Sequence, residues 1–227
     1  LTLMIHAEDP DLSAEDYRAA EDLITIRDVY LSGYFGTKVH MSHVSTIGAM
    51  EAIIEAKKKN YPVTCEVSPH HLVLYDEDYR VNPPIRGMDD VKYLVQAVKT
   101  GFVDCIATDH APHSEEDKEK GAPGMIGLET AFSLCYTYLV KKQNLPLSRL
   151  SQLMSLGGLQ VLGVENRGLI EDGYDAHLVV VDLEKTYTID ANSMASKSKN
   201  TPFHGMEVQG QVMMTLVGEN ILYRREE

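Results

Sequence analysis

The chain has 227 residues, 44% apolar and 24% charged, which is ordinary for a globular protein with one large core or two small ones. Asp plus Glu number 34 against 21 Lys plus Arg, a formal charge of −13 that argues against binding nucleic acid or an anionic membrane, since both need basic patches. No apolar run approaches the roughly 18 residues of a membrane span and no secretory signal is evident.

The opening "LTLMIHAED" lacks an initiator Met and begins in an apolar run, so residues are expected upstream of Leu1. Short apolar runs at 1–7, 39–44, 63–67 and 105–108 each end in polar residues, and each precedes a segment with helical spacing. The first helical stripe is Tyr17, Ala20, Leu23 and Ile24. The second is Ile47, Met50, Ile53 and Ile54, closed by Lys57, Lys58 and Lys59. The third is Val91, Leu94, Val95 and Val98, with Asp89 and Asp90 in its first turn and Gly101 beyond its last. Leu128, Phe132, Cys135 and Leu139 make the fourth, and residues 147–154 read as a further short helix.

Strand then helix, four times over, predicts an α/β chain with a parallel sheet: the second half of a TIM-like (β/α)8 barrel, or a small open sheet. Half a barrel leaves bare strand edges that need the remainder to close. Beyond Gly163 the texture changes. "HLVVVDL", "KTYTI" and "QVMMTLVGENILY" read as strands, the last turning at Gly218-Glu219-Asn220. Two units are therefore expected, a partial β/α barrel over 1–162 and a small β appendage over 163–227. "SEEDKEKGAPG", residues 114–124, reads as a loop over a site. Cys65, Cys105 and Cys135 stand far apart without a CxxC, as buried thiols of a reducing compartment, and the cytoplasm is the default location.

In parallel β/α architectures the functional groups gather at the C-terminal ends of the strands. Those ends carry His6 with Glu8 and Asp9, then His43, then His70 and His71, then Asp109 with His110 and His113; six of the nine histidines collect there. Taken singly, His6 or His43 reads as a satisfied polar residue, and Asp109 as the N-cap of the next turn. Together, two histidines and a carboxylate on one mouth suit a divalent cation such as zinc. His40 has the opposite strand parity to His43 and reads as structural. His110 reads as a packing or outer-shell residue, and His177 and His204 lie in the tail. "RVNPPIR" sets Asn82 before two prolines, which could serve a small anionic substrate or simply stiffen a turn. Gly124, after Pro123, is either a point of close backbone approach or an ordinary turn glycine.

"MIHAED", "HMSHVST", "CEVSPHHL", "RVNPPIR", "IATDHAPH" and "PGMIGLET", in this order, resemble the bacterial dihydroorotases, cyclic amidohydrolases among the metal-dependent β/α-barrel hydrolases. The likeness runs over essentially the whole chain. "IATDHAPH" alone would also suit hydantoinases and allantoinases; "CEVSPHHL" with "RVNPPIR" favours dihydroorotase. The resemblance implies His6 and His43 as ligands of the second metal position and Asp109 as ligand of the first and proton carrier. Asn82, His113 and the Pro123-Gly124 backbone are implied to hold the substrate's ring and carboxylate. Zn2+ is the implied cofactor, two ions per complete site, with a His-x-His pair and a bridging Asp or carboxylated Lys upstream of Leu1.

The implied reaction is the reversible cyclisation of N-carbamoyl-L-aspartate to L-dihydroorotate in de novo pyrimidine biosynthesis. It runs by metal-bound hydroxide with Asp109 shuttling the proton. The alternatives are a hydantoinase or allantoinase, or a metal-free scaffold subunit for aspartate transcarbamoylase. Partners implied beside the small anionic substrate are a second copy of the chain, as a homodimer, and that transcarbamoylase. With half the ligand set present, these 227 residues alone are expected to be inactive. The chain departs from the family where "MSLGGLQVLGV" replaces an Asn-Pro-Ala helix start, where His177 replaces Asp, and in a shortened link after "HAEDPDL".

Overall fold

A computed structural model of the chain describes residues 1–225. Strands β1 (Leu3–Ile5), β2 (Val39–Met41), β3 (Val63–Val67) and β4 (Cys105–Ile106) form the expected parallel sheet, in the order β1-β2-β3-β4. The register sets Leu3 against Val39, Val39 against Val63 and Glu66 against Cys105.

Helix α1 (Tyr17–Phe35) crosses from β1 to β2. It starts because the Asp16 carboxylate accepts from the Arg18 and Ala19 N–H groups, and stops at Gly36, whose φ of 65° lets its N–H turn back to the Ser32 carbonyl. Ala20 and Ile24 face the core, but Leu23 is half exposed and lies off the buried face. Helix α2 (Ile47–Lys58) is capped by Thr46, whose hydroxyl accepts from Ala49 N–H, and it buries Met50 and Ile53 completely. After β3 come a short α3 (Pro69–Val73) and α4 (Met88–Lys99), with Leu94 and Val98 fully buried as their spacing predicts. Burying a side chain of this kind contributes about 1.5–3 kcal/mol. Asp90 does more than complement a helix dipole. It is buried, accepts from Ile47 N–H at 3.0 Å and takes a two-pronged bond from Arg18, tying α1, α2 and α4 together.

Helix α5 (Glu115–Glu119) occupies the middle of the 114–124 segment that reads as a loop. Ser114 caps it by accepting from Asp117 N–H at 3.1 Å. Leu128 is exposed and precedes α6 (Ala131–Cys135), which runs directly into a π-helical stretch, Tyr136–Lys141. Helices α7 (Leu147–Met154) and α8 (Leu156–Leu162) follow.

In the tail, β5 (His177–Thr188), β6 (Glu207–Val217) and β7 (Asn220–Arg224) form an antiparallel sheet. "HLVVVDL" and "KTYTI", which read as two strands, are mostly one. The register slips between Asp182 and Thr186, where the Asp182 carboxylate accepts from Glu184 and Lys185 N–H and loops them out. Ser133 and Thr137 dock α6 and the π stretch onto β6 by bonds to Gly210 and Gln209. Ile189, Phe203 and Val208 of the tail share one buried cluster with Met41 and Leu94. Residues 226 and 227 of the expected 163–227 unit lie outside the described residues. No helix among the described residues is long and apolar enough to cross a membrane, and the three cysteines are free and buried.

Candidate metal and substrate site

Each strand of the parallel sheet delivers polar residues at its C-terminal end. Directly after β1, His6 turns its Nδ1 toward Nε2 of His43, which follows β2, and the two nitrogens lie 2.9 Å apart. Their rings meet edge to face, centroids 4.8 Å apart. Two imidazole nitrogens turned toward each other are the donor type that a tetrahedral cation such as zinc takes. His43 and Asp109 both adopt left-handed backbone conformations, at φ 36° and 48°, uncommon for non-glycine residues and concentrated at functional sites. Burial pulls the His43 pKa below its ordinary value; the charge of Asp109 opposes this and His6 adds to it. The result favours the neutral imidazole, the form with a lone pair to donate.

The other nitrogen of His6 is held as well. Its Nε2 lies 2.7 Å from Glu8 Oε2, the oxygen that also accepts the Tyr17 hydroxyl at 2.7 Å. Burial pulls the Glu8 carboxyl upward, but the bonds from His6, Tyr17 and Ser13 outweigh it and hold Glu8 below the usual carboxylate range. A carboxylate on one ring nitrogen fixes the tautomer and aims the other at a metal. In the sequence Glu8 is only a neighbour of His6; its H-x-E spacing is the signal for this role. Replacement Glu8→Gln is expected to weaken metal binding about 10- to 100-fold, measured by titration against a competing chelator.

Asp109, the third expected ligand, makes no hydrogen bond to another described residue. It is not a helix N-cap, since Ser114 caps α5. It stands near enough for its charge to act on His43. Among the described residues, the one group of three whose ligand atoms all lie within 4.8 Å of one another is a different one: His40, Glu66 and Cys105, all buried. Both His40 nitrogens are already engaged, Nδ1 with the Thr64 hydroxyl at 2.9 Å and Nε2 with Glu66 at 3.1 Å. Burial pushes the Cys105 thiol up to about 12. These groups work as a hydrogen-bonded core network, and His40 is structural, as its strand parity suggests.

His70 and His71 are buried in α3. The Nε2 of His71 donates to the Pro83 carbonyl at 2.9 Å and pins the loop that carries Asn82. Burial lowers the His70 pKa to about 3 and that of His71 well below the ordinary 6.5. Both are neutral in the folded chain, while the unfolded chain takes up protons below pH 6.5. Their contribution is therefore complete above pH 6.5 and declines as pH falls toward 3. His70 alone should cost about 2 kcal/mol by pH 5. Urea midpoints at pH 7 and pH 5 check this, and equal midpoints would contradict it.

Of the expected substrate groups, His113 and Gly124 lie side by side. Gly124 has φ 131°, and a Cβ there would lie 2.7 Å from the Ala111 Cβ and 3.0 Å from His113 Nε2, so only glycine fits beside that imidazole. The Gly124 N–H donates to the Arg80 carbonyl at 3.0 Å, joining the 110–124 segment to the loop of Asn82. A cavity of about 580 Å³, a small-molecule size, opens beside Glu8, Tyr17, Arg80 and Asn82. His110 points elsewhere; its Nδ1 accepts from Gly127 N–H at 3.0 Å.

The amidohydrolase family matches residues 1–222. The chain belongs to this family. Amidohydrolases of this family are metal-dependent, and the donor set fits such an ion: two converging imidazoles, that of His6 held from behind by Glu8, with the carboxylate of Asp109 nearby. Similar proteins include the dihydroorotase of Clostridium botulinum, 50% identical over 98% of this chain and 56% of its own length. That of Acetivibrio thermocellus is 42% identical over 92% of this chain and 51% of its own. The chain thus spans about half the length of the curated relatives it matches. Among solved structures, the D-hydantoinase (dihydropyrimidinase) of Thermus sp. superposes with a TM-score of 0.93 at 25% identity, covering 99% of this chain and 57% of that one. The L-hydantoinase of Arthrobacter aurescens gives 0.92 at 28%, covering 100% and 58%.

Proposed function

We propose that this chain is the C-terminal portion of a dihydroorotase. Residues 1–162 would be the second half of a (β/α)8 barrel and residues 163–227 its β appendage. Sequential strand order in one direction supports the barrel, as does an edge strand β1 whose Leu3 and Met4 are half exposed. The observation that carries the chemical reading is the convergence of His6 Nδ1 and His43 Nε2 at 2.9 Å beside Asp109. The choice of substrate rests on the 50% identity to a dihydroorotase.

His6 and His43 would hold one zinc and Asp109 the other, with the remaining ligands of both ions supplied by residues outside this chain. When bound, zinc supplies Lewis acidity and brings the pKa of water down to about 7. Asp109 accepts the proton of the attacking water and returns it to the ring nitrogen as the amide opens; in ring closure of N-carbamoyl-L-aspartate the same transfers run backwards. Glu8 keeps the His6 ring in place throughout. His113, Asn82 and the Pro123-Gly124 backbone would hold the ring and the carboxylate. The reaction belongs to pyrimidine biosynthesis in the cytoplasm, which suits three free, buried thiols. A homodimer and an assembly with aspartate transcarbamoylase are both compatible with this reading.

The hydantoinase superpositions favour one second reading, a sister enzyme acting on hydantoin or allantoin. Turnover of dihydroorotate, hydantoin and allantoin by the full-length protein decides between them. Turnover of dihydroorotate is expected, and hydantoin or allantoin turnover without it would overturn the proposal.

A further inference from the structure

The tail reaches the rim through Ser198, whose hydroxyl contacts the His113 carbonyl, and through Asn200. Asn200 directs its Nδ2 to the carbonyls of Ala111 at 3.1 Å and Gly124 at 3.2 Å. Its Oδ1 accepts from His113 N–H at 3.3 Å and from the Ser198 hydroxyl at 2.7 Å. The Asn200 backbone carbonyl accepts Ile126 N–H at 2.9 Å. One amide therefore holds both ends of the segment that presents His113 and Gly124.

From the other side, Lys118 on α5 directs Nζ to three carbonyls: Arg80 at 3.0 Å, Ala122 at 2.8 Å and Gly124 at 3.0 Å. Three acceptors match the three protons of an ammonium. The same Nζ sits 4.5 Å from the centre of the Tyr79 ring. The Gly124 carbonyl thus receives both donors, while its N–H reaches back to Arg80.

We propose that Asn200 and Lys118 are positioning residues for the substrate grip. Asn200 sets the His113 imidazole against Gly124, and Lys118 locks that pair to the loop carrying Asn82. This rests on the dihydroorotase reading of the site. Neither residue bonds to His6, His43 or Asp109, so metal occupancy does not depend on them. Asn200→Asp keeps the size and one acceptor but turns a carboxylate oxygen toward the two carbonyls. Lys118→Met keeps the stem over Tyr79 and removes all three donors.

The test compares metal content and steady-state kinetics of the full-length wild type, Asn200→Asp and Lys118→Met with dihydroorotate. Both variants should retain wild-type metal content and raise KM about tenfold or more, with a smaller loss in kcat. An unchanged KM, or a KM change accompanied by metal loss, would overturn the inference. If Asn200→Asp does not fold, the half-exposed Lys118→Met decides the matter alone. A wild type that binds metal but leaves dihydroorotate untouched would instead overturn the functional reading beneath it.

Discussion

Asp109→Asn in the full-length protein should lower kcat by about 10³-fold while leaving stability within about 0.5 kcal/mol of wild type. The two halves of this expectation have separate causes. Asn is isosteric, tolerates the left-handed backbone at φ 48° as well as Asp does, and breaks no hydrogen bond to a described residue. What disappears is the negative charge facing His43 and the group able to carry a proton. Steady-state kinetics beside a thermal melt measure both. A variant that keeps kcat within about tenfold of wild type would show that the proton is carried elsewhere.

The largest stability effect is expected at Arg86. Its side chain is 9% exposed and meets Glu21, at 3%, with Nη2 2.9 Å from Oε2. Arg86 Nε also donates to the Ser45 hydroxyl at 2.9 Å, and that hydroxyl and the Ser45 N–H both bond to Glu21. The guanidinium lies 5.7 Å from the centre of the Tyr17 ring, the same Tyr17 that donates to Glu8. Arg86→Met leaves the Glu21 carboxylate buried without its cation and should cost about 3–5 kcal/mol. Replacing both partners by apolar residues should recover much of that, because the stranded charge goes too. Urea denaturation of the single and double variants measures the difference, and a single-variant loss under about 1 kcal/mol would contradict it. The same network backs the loop of Asn82 and the turn after His43, so a damaged Arg86 also loosens the site.

Periodicity carried the fold where one face is buried. Val63–Val67 and Leu147–Met154 lie where the apolar pattern puts them, and Met50, Ile53, Leu94 and Val98 are buried as their spacing requires. It failed where local polar bonds intervene. Asp182 turns an apparent pair of strands into one with a slipped register, and a Ser114 cap converts a loop-like segment into a helical turn. The π-helical stretch has no signature in the sequence.

The convergence of His6 and His43 was legible because a parallel sheet sends its strand ends to one mouth. The partners that aim them were less so. Glu8 is marked in the sequence only by its H-x-E spacing from His6, and the ring orientation is what gives that spacing its meaning. Asn200 lies 87 and 89 residues from the groups it holds, a separation no motif spans. Lys118 sits in a charged segment that reads only as a loop over a site, yet all its protons go to backbone carbonyls.

The most direct test of the metal centre is anomalous difference density at the zinc edge in crystals of the full-length protein. A peak between His6 Nδ1 and His43 Nε2, within reach of Asp109, is the predicted result. A peak enclosed by His40, Glu66 and Cys105, with no density between His6 and His43, would contradict it.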